Sequence, residues 1–298
     1  MAGSPLIFDR ALLRRRRRRA TTIGPVDFLI DRVAADLAER LGAVLRRFDR
    51  ALVLGVSGEA VRAALAGLGS VGTVVVADSL VPARCGGLFV GADEETLPFC
   101  DATFDLVVSA LALQFVNDLP GALIQIRRSL KPDGLFLAAL IGGETLTELR
   151  QAFAAAESEV EGGVSPRVAP FADLRDLGAL LQRAGFALPV TDTDRVVVRY
   201  DTAFALMRDL RRMGATNVLI DRRRTPLRRA TLLRMAEIYG ERFSGSDGRI
   251  RATFEIVWLS GWAPHPSQQQ PLKPGSAKTR LADALGTREI SAGEKAGR

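Results

Sequence analysis

Ala51-Leu-Val-Leu-Gly55-Val-Ser57-Gly58 decides the fold. Its apolar run shows no polar alternation, as in a strand covered on both faces. The closing glycine leaves room for a tight turn into the helix-compatible segment 58–68. The same grammar repeats outward from this point. Thr73-Val-Val-Val-Ala-Asp78 is a second apolar run and ends in an acid. Leu88-Phe-Val90 is a third, Thr103-Phe-Asp-Leu-Val-Val-Ser109 a fourth and Gly134-Leu-Phe-Leu-Ala-Ala-Leu140 a fifth, entered through the turn sequence Lys131-Pro-Asp-Gly134. Helix-compatible segments lie between most of them, notably 119–130. Helices are also expected over 145–160 and 171–185, a sixth strand over Arg195–Tyr200 and an alternating seventh, antiparallel, over Thr253–Leu259. The expected fold is α/β, a doubly wound, mostly parallel seven-stranded sheet. Residues 1–50 are expected to form an N-terminal helical cap, with Leu37, Leu41, Val44, Leu45 and Phe48 at helical spacing. Residues 51–262 form the sheet domain, with a basic helical insertion over 201–250. Residues 263–298 are a Pro-rich tail whose last dozen residues are expected to be disordered.

Composition excludes several classes of function. Apolar residues make up 47% of the 298 and charged residues 25%, so wholesale disorder is excluded. No apolar run is long enough to span a membrane, and no apolar stretch behind the N-terminal charges suggests a secretory signal. Cys85 and Cys100 cannot build a disulfide scaffold or a four-cysteine zinc site, and a cytoplasmic compartment is expected. His265 is the single histidine, so a two-histidine iron site cannot be assembled from one chain. The net charge of +7 rests on the run Arg14–Arg19; without it the balance is about +1. A nucleic-acid binder spreads its basic groups over a face or groove, so no nucleic-acid partner is expected. The run reads as a solvated or acid-paired face.

Ligands of a doubly wound sheet bind at the carboxyl ends of the strands, and the informative residues fall there. Gly55, Ser57 and Gly58 close the first strand and open a helix, where backbone amides can approach a ligand. Asp78 ends the second strand at the spacing of an acid that accepts ribose hydroxyls. Asp93 and Glu94 follow the third strand and could accept an adenine amino group, and Ser109 ends the fourth. Each also has a plainer reading: a strand-to-helix turn, a helix cap, surface acids. In this order, they point to a nucleoside-type cofactor site.

The same order resembles the class I S-adenosylmethionine-dependent methyltransferases over about residues 45–145. Asp93-Glu-Glu-Thr-Leu-Pro-Phe99, the stretch Phe104–Pro120 and Leu130-Lys-Pro-Asp-Gly134 are similar to the type-11 subset. Gly142–Arg150, Leu206–Gly214 with Asn217, Gly261–His265, Ser267–Ala277 and Phe8-Asp-Arg10 resemble, more narrowly, the bacterial relatives of mitochondrial complex I assembly factor 5, an arginine hydroxylase family. The methyltransferase of biotin synthesis is a more distant relative. The resemblance implies S-adenosyl-L-methionine as cofactor and a protein substrate, a complex I subunit among the candidates, with cytoplasmic or peripheral inner-membrane placement. It leaves three outcomes open: methyl transfer, arginine hydroxylation, or a non-catalytic cofactor-binding assembly factor. No catalytic residue and no metal ligand are indicated. One departure concerns the first motif, which in the family reads acid-x-Gly-x-Gly-x-Gly. Here Val53 stands at the acid position, Ser57 at the middle glycine and Glu59 at the last. The family's acid helps hold the methionine end of the cofactor.

Leu206, Met207, Leu210 and Met213 have the spacing of an apolar helical face, read either as a lid over the crevice or as core. Trp262 and His265 are expected at the same mouth.

Overall fold

The structure, a computed structural model, describes residues 6–55, 58–80, 87–269, 276 and 279–288. Ser57, Cys85, part of Ser267–Ala277 and nearly all of the last dozen residues lie outside these. The chain divides into two units, Met1–Pro264 and His265–Arg298. The first holds the sheet. The second holds one short helix, and in it the His265 ring Nδ1 lies 2.6 Å from Ser267 Oγ.

The seven strands are β1 (Phe48–Leu54), β2 (Val71–Asp78), β3 (Leu88–Gly91), β4 (Phe104–Ala110), β5 (Leu130–Ile141), β6 (Ala187–Tyr200) and β7 (Ile250–Trp262). Their order is β3-β2-β1-β4-β5-β7-β6, with β7 antiparallel to both neighbours and the remaining pairs parallel. The strand order reverses between β1 and β4, where Leu54 stands opposite both Ala77 and Ser109. In such a sheet the crevice opens at this switch point.

The period of two along the central strands sends alternate side chains to two cores. Ala51 and Val53 pack with α2 (Phe28–Gly42), α3 (Gly58–Ala66), α5 (Thr147–Glu161) and α8 (Arg229–Phe243). Leu52 and Leu54 pack with α4 (Leu119–Ser129) and α6 (Leu174–Arg183) on the other face. Local chemistry sets the helix starts. Asp118 accepts the Gly121 N–H at 2.9 Å ahead of α4, and Asp9 accepts the Leu12 N–H at 2.9 Å ahead of α1 (Arg10–Thr22).

Four local expectations change. α2 stops at Gly42, so Val44, Leu45 and Phe48 leave the helical stripe: Leu45 is fully exposed and Phe48 opens β1. Lys131-Pro-Asp-Gly134 is a bulge inside β5, where the pairing with β4 shifts register and Asp133 adopts φ +62°. β6 begins at Ala187 rather than Arg195. The insertion is two helices, α7 (Ala203–Arg212) and α8, separated by the non-helical stretch 214–228. β6 ends at Tyr200 opposite the start of β7 at Ile250, so the insertion rises from the carboxyl edge of the parallel strands.

Among the described residues, no helix is long and apolar enough to cross a membrane.

Candidate functional site

Gly55 leaves β1 with φ +108°, a left-handed conformation that suits a residue without Cβ, and its N–H bonds the Ala77 carbonyl at 2.9 Å. A Cβ built there would stand 2.2 Å from the Ala112 Cβ. Gly58 opens α3. Asp78 closes β2, buried, with one carboxylate oxygen accepting the Leu80 N–H at 2.7 Å. Burial pushes its carboxyl up to about 6, against the pull of that N–H. Ser109, one residue before the end of β4, is fully buried, and its hydroxyl donates to the Leu54 carbonyl at 3.1 Å, tying β4 to β1. Val53, at the position where the family's first motif has an acid, is buried in the sheet core.

Asp93 and Glu94 sit beyond β3, but their carboxylates are engaged by α1. Arg10 donates to Asp93 at 2.6 Å and also to Glu94, and Arg14 donates to Asp93 at 2.9 Å. Arg17 places Nη1 3.7 Å from Glu94 Oε1 and stacks its guanidinium over the Phe115 ring, 5.7 Å from the centroid. These arginines follow at i, i+4 and i+7, one face of the helix. Burial would raise Asp93, yet the Glu95 N–H and the Arg10 guanidinium hold it below the ordinary carboxylate range. Burial pulls Arg17 down, with Glu94 and Asp78 pushing back. The arginine run is therefore acid-paired along its inner face, while Arg15, Arg18 and Arg19 are exposed.

Beside this cluster lies a cavity of about 730 Å³. Its floor includes Glu59, Leu111 and Gln114 at the ends of the central strands, and α1, α2, α7 and residues 213–218 cover it. The 206–213 stripe packs on the main core, and part of it also faces the cavity. Leu206 is fully buried in the main core, whereas Met207, Leu210 and Met213 line the cavity. Trp262 does not belong to this mouth. It pairs with Leu135 and Ala187 at the opposite edge of the sheet and lies under Arg46, 5.6 Å from its guanidinium carbon. The antiparallel course of β7 puts its last residue at the amino edge.

Three contributors escape a reading by strand ends. Arg17 comes from a helix that precedes the sheet. Gln114 follows β4, and its amide oxygen is buried without a hydrogen-bond partner among the described residues. Arg167 lines the cavity while bonded to the buried Glu157. The Arg10, Arg14, Arg17 spacing was a legible signal for the first of these, since it matches a single helix face.

Residues 52–138 match a family model described as a methyltransferase domain. The mitochondrial arginine hydroxylase NDUFAF5 of Danio rerio is 42% identical over 290 residues, covering 93% of this chain and 89% of that one. The chain belongs to the NDUFAF5 family. The malonyl-[acyl-carrier protein] O-methyltransferase of Laribacter hongkongensis is 40% identical over 62% of this chain and 60% of its own length. The solved YcgJ protein of Bacillus subtilis superposes with a TM-score of 0.52 at 17% identity, over 78% of this chain and 99% of its own, a likeness of fold. The methyltransferase-domain match runs from β1 into β5. The insertion over the cavity lies outside it but inside the NDUFAF5-family match, which covers nearly the whole chain.

Proposed function

We propose that the chain binds S-adenosylmethionine at the carboxyl edge of its sheet and modifies a side chain of a protein subunit during assembly of respiratory complex I. The observation that carries this reading is the covered cavity of about 730 Å³ that Leu111 and Ile141 line at the carboxyl ends of β4 and β5, in a methyltransferase fold. The nucleoside end of the cofactor fits the residues present. Asp78 offers a buried carboxylate at the end of β2, and Gly55 makes the left-handed turn that closes β1 beside it. The amino-acid end departs from the family pattern, because Val53 is an apolar core residue. When bound, the cofactor supplies an electrophilic methyl group. The protein's part in methyl transfer is to align a nucleophile with it and keep water out, and Met207, Leu210 and Met213 supply an apolar cover for that purpose.

A second reading, arginine hydroxylation, is favoured by the family relationship. It inserts one oxygen atom into a C–H bond and needs an oxidant. Among the described residues no group of three His, Cys, Asp or Glu side chains could hold a metal, so this reading names a product and assigns no step to these residues. Intact-mass analysis of a complex I subunit co-produced with the chain separates the outcomes. A gain of one methylene supports methyl transfer and a gain of one oxygen supports hydroxylation. No gain overturns the enzymatic reading in favour of a binding factor.

Asp78 gives the cofactor reading a pH signature. Its folded pKa of about 6 lies above the ordinary 3.8, so the protonated form is the one burial favours. Its contribution to stability is therefore present at low pH and is lost as pH rises through about 6. Ribose hydroxyls donate to the ionised form, so ligand affinity should move oppositely and strengthen over the same rise. Calorimetric titration with S-adenosylhomocysteine at about pH 5 and about pH 8 should show tighter binding at the higher value. Asp78→Asn should flatten that dependence and weaken binding about ten-fold or more at the higher pH. An unchanged pH profile in the variant removes Asp78 from the site.

A further inference from the structure

The two faces of α1 use their arginines differently. On the inner side Arg10, Arg14 and Arg17 meet acids, and Arg16 donates to the Asn217 carbonyl. Arg15, Arg18 and Arg19 stand at i, i+3 and i+4 on the outer side. They are exposed, and among the described residues their guanidinium groups form no ion pair or hydrogen bond. Asp9 feels the charge of Arg15 but is bonded to Arg222 at 3.2 Å. Arg208 and Arg211 of α7 are exposed and unpaired in the same sense, and Arg211 lines the cavity. The chain leaving α7 crosses α1 at Gly214, where a built Cβ would stand 3.0 Å from the Arg17 Cα. Exposed arginines on other parts of the surface find acids: Arg32 with Asp194 at 2.9 Å, Arg199 with Asp247 at 2.9 Å and Arg249 with Asp201 at 3.0 Å. Like charges three and four residues apart weaken a helix, and the fold gains no polar contact from the outer three. The inner clamp nevertheless holds α1 in place, so these arginines are presented on a fixed support.

We propose that Arg15, Arg18 and Arg19, with Arg208 and Arg211, form the docking face for an acidic segment of the protein substrate that flanks the modified residue. This occupant rests on the protein-modification reading above. α1 and α7 cover the cavity, so a substrate side chain that enters it brings its neighbours in sequence across these helices. α1 contains no acid, and the acids that line the cavity near its rim, Asp27 and Asp31, come from the start of α2. The α1 side is therefore uniformly basic. Guanidinium forks pair with carboxylates through two parallel hydrogen bonds, so a run of glutamate or aspartate is the complement of this face. A bilayer fits it less well. The exposed residues of α1 are Ala11, Arg15, Arg18, Arg19, Thr21 and Thr22, none of them a large apolar group that could enter a membrane. A nucleic acid calls for basic groups that follow a groove, and the inner arginines of α1 are already held by acids of this chain.

Fluorescence anisotropy on the full chain, with a labelled oligoglutamate peptide as the probe, tests the face. Arg15→Gln, Arg18→Gln and Arg19→Gln together should weaken peptide binding about ten-fold. The same triple variant should keep its S-adenosylhomocysteine affinity and be no less stable in urea, because only mutual repulsion has been removed. A control triple, Arg50→Gln with Arg183→Gln and Arg195→Gln, takes the same charge from exposed positions that do not line the cavity, and it should change peptide binding little. Equal losses in the two triples overturn the proposal, since net charge alone then drives binding. Undiminished peptide binding by the α1 triple overturns it as well. So does binding of phosphatidylglycerol vesicles or duplex DNA through these arginines when oligoglutamate does not bind, which gives the face to a membrane or a nucleic acid. Intact-mass analysis of the co-produced complex I subunit then ties the face to the substrate. Modification should fall in the α1 triple and persist in the control, and full modification by the α1 triple overturns the substrate as occupant. No modification by the native chain removes the protein-modification reading and this occupant with it, whereas a failed peptide arm with modification intact removes the docking face alone.

Discussion

Replacing Glu94 by alanine should lower the stability of the chain by about 3–5 kcal/mol, the usual loss when one partner of a buried ion pair is removed. Glu94 is 1% exposed and stands between Arg10 and Arg17, both largely buried. Arg10 keeps Asp93 as a partner after the substitution, so most of the damage falls on Arg17. Arg17 would retain only the more distant attraction of Asp78 and Asp93. α1 is anchored through this cluster, so the helix should also loosen and expose its amides to exchange. Denaturant unfolding at neutral pH measures the first effect and hydrogen exchange over residues 10–22 the second. A control separates charge from packing: Arg17→Met added to Glu94→Ala should recover part of the loss, because the stranded cation is then gone. A change below about 1 kcal/mol, with α1 as protected as before, would show that the arginine face does not depend on Glu94.

The elements legible in the sequence are those whose burial is apolar. β1, β2, β4 and β5 are covered on both faces, so hydrophobicity alone marks them, and Gly55, Asp78 and Ser109 could be placed because each lies at or beside the end of such a strand. The first half of β6 was hidden because it is an edge strand with one face in water. Leu188 and Val190 are exposed with Pro189 between them, and Asp192 and Asp194 follow, which reads as a loop. Phe48 kept the helical spacing of α2 by coincidence, although the chain had already turned at Gly42. The site was harder. α1 buries arginine instead of leucine along much of its inner face, so a period search for apolar residues cannot orient it, and its partners lie about eighty residues away in the chain. The acids expected to read adenine are real neighbours of the crevice, but the cations that neutralise them come from outside the methyltransferase-domain match. The cavity depends on α1, α2, α7 and the loop at 213–218 meeting over the sheet, which is a tertiary fact with no local signature.

Gly55→Ala should be the most damaging single-methyl addition at the site, by about 2–6 kcal/mol, because two independent penalties coincide. At φ +108° an alanine is strained, which costs roughly 1–3 kcal/mol. The new Cβ also lands 2.2 Å from the Ala112 Cβ, in a buried place where overpacking costs about 1–3 kcal/mol more. Backbone movement to relieve the contact would pull Gly55 from its hydrogen bond to Ala77 and shift the floor of the crevice beside Glu94, which lies 4.0 Å from the built Cβ. S-adenosylhomocysteine affinity should therefore fall along with stability. The two penalties separate in the double variant Gly55→Ala with Ala112→Gly. Removing the Ala112 methyl abolishes the overlap but leaves the left-handed strain, so the double variant should recover the packing share and no more. Urea denaturation of the four chains in this cycle gives a coupling energy. A coupling near zero would mean that the two residues do not collide, and a single-variant loss under about 1 kcal/mol would mean that Gly55 does not hold the conformation on which the crevice is built.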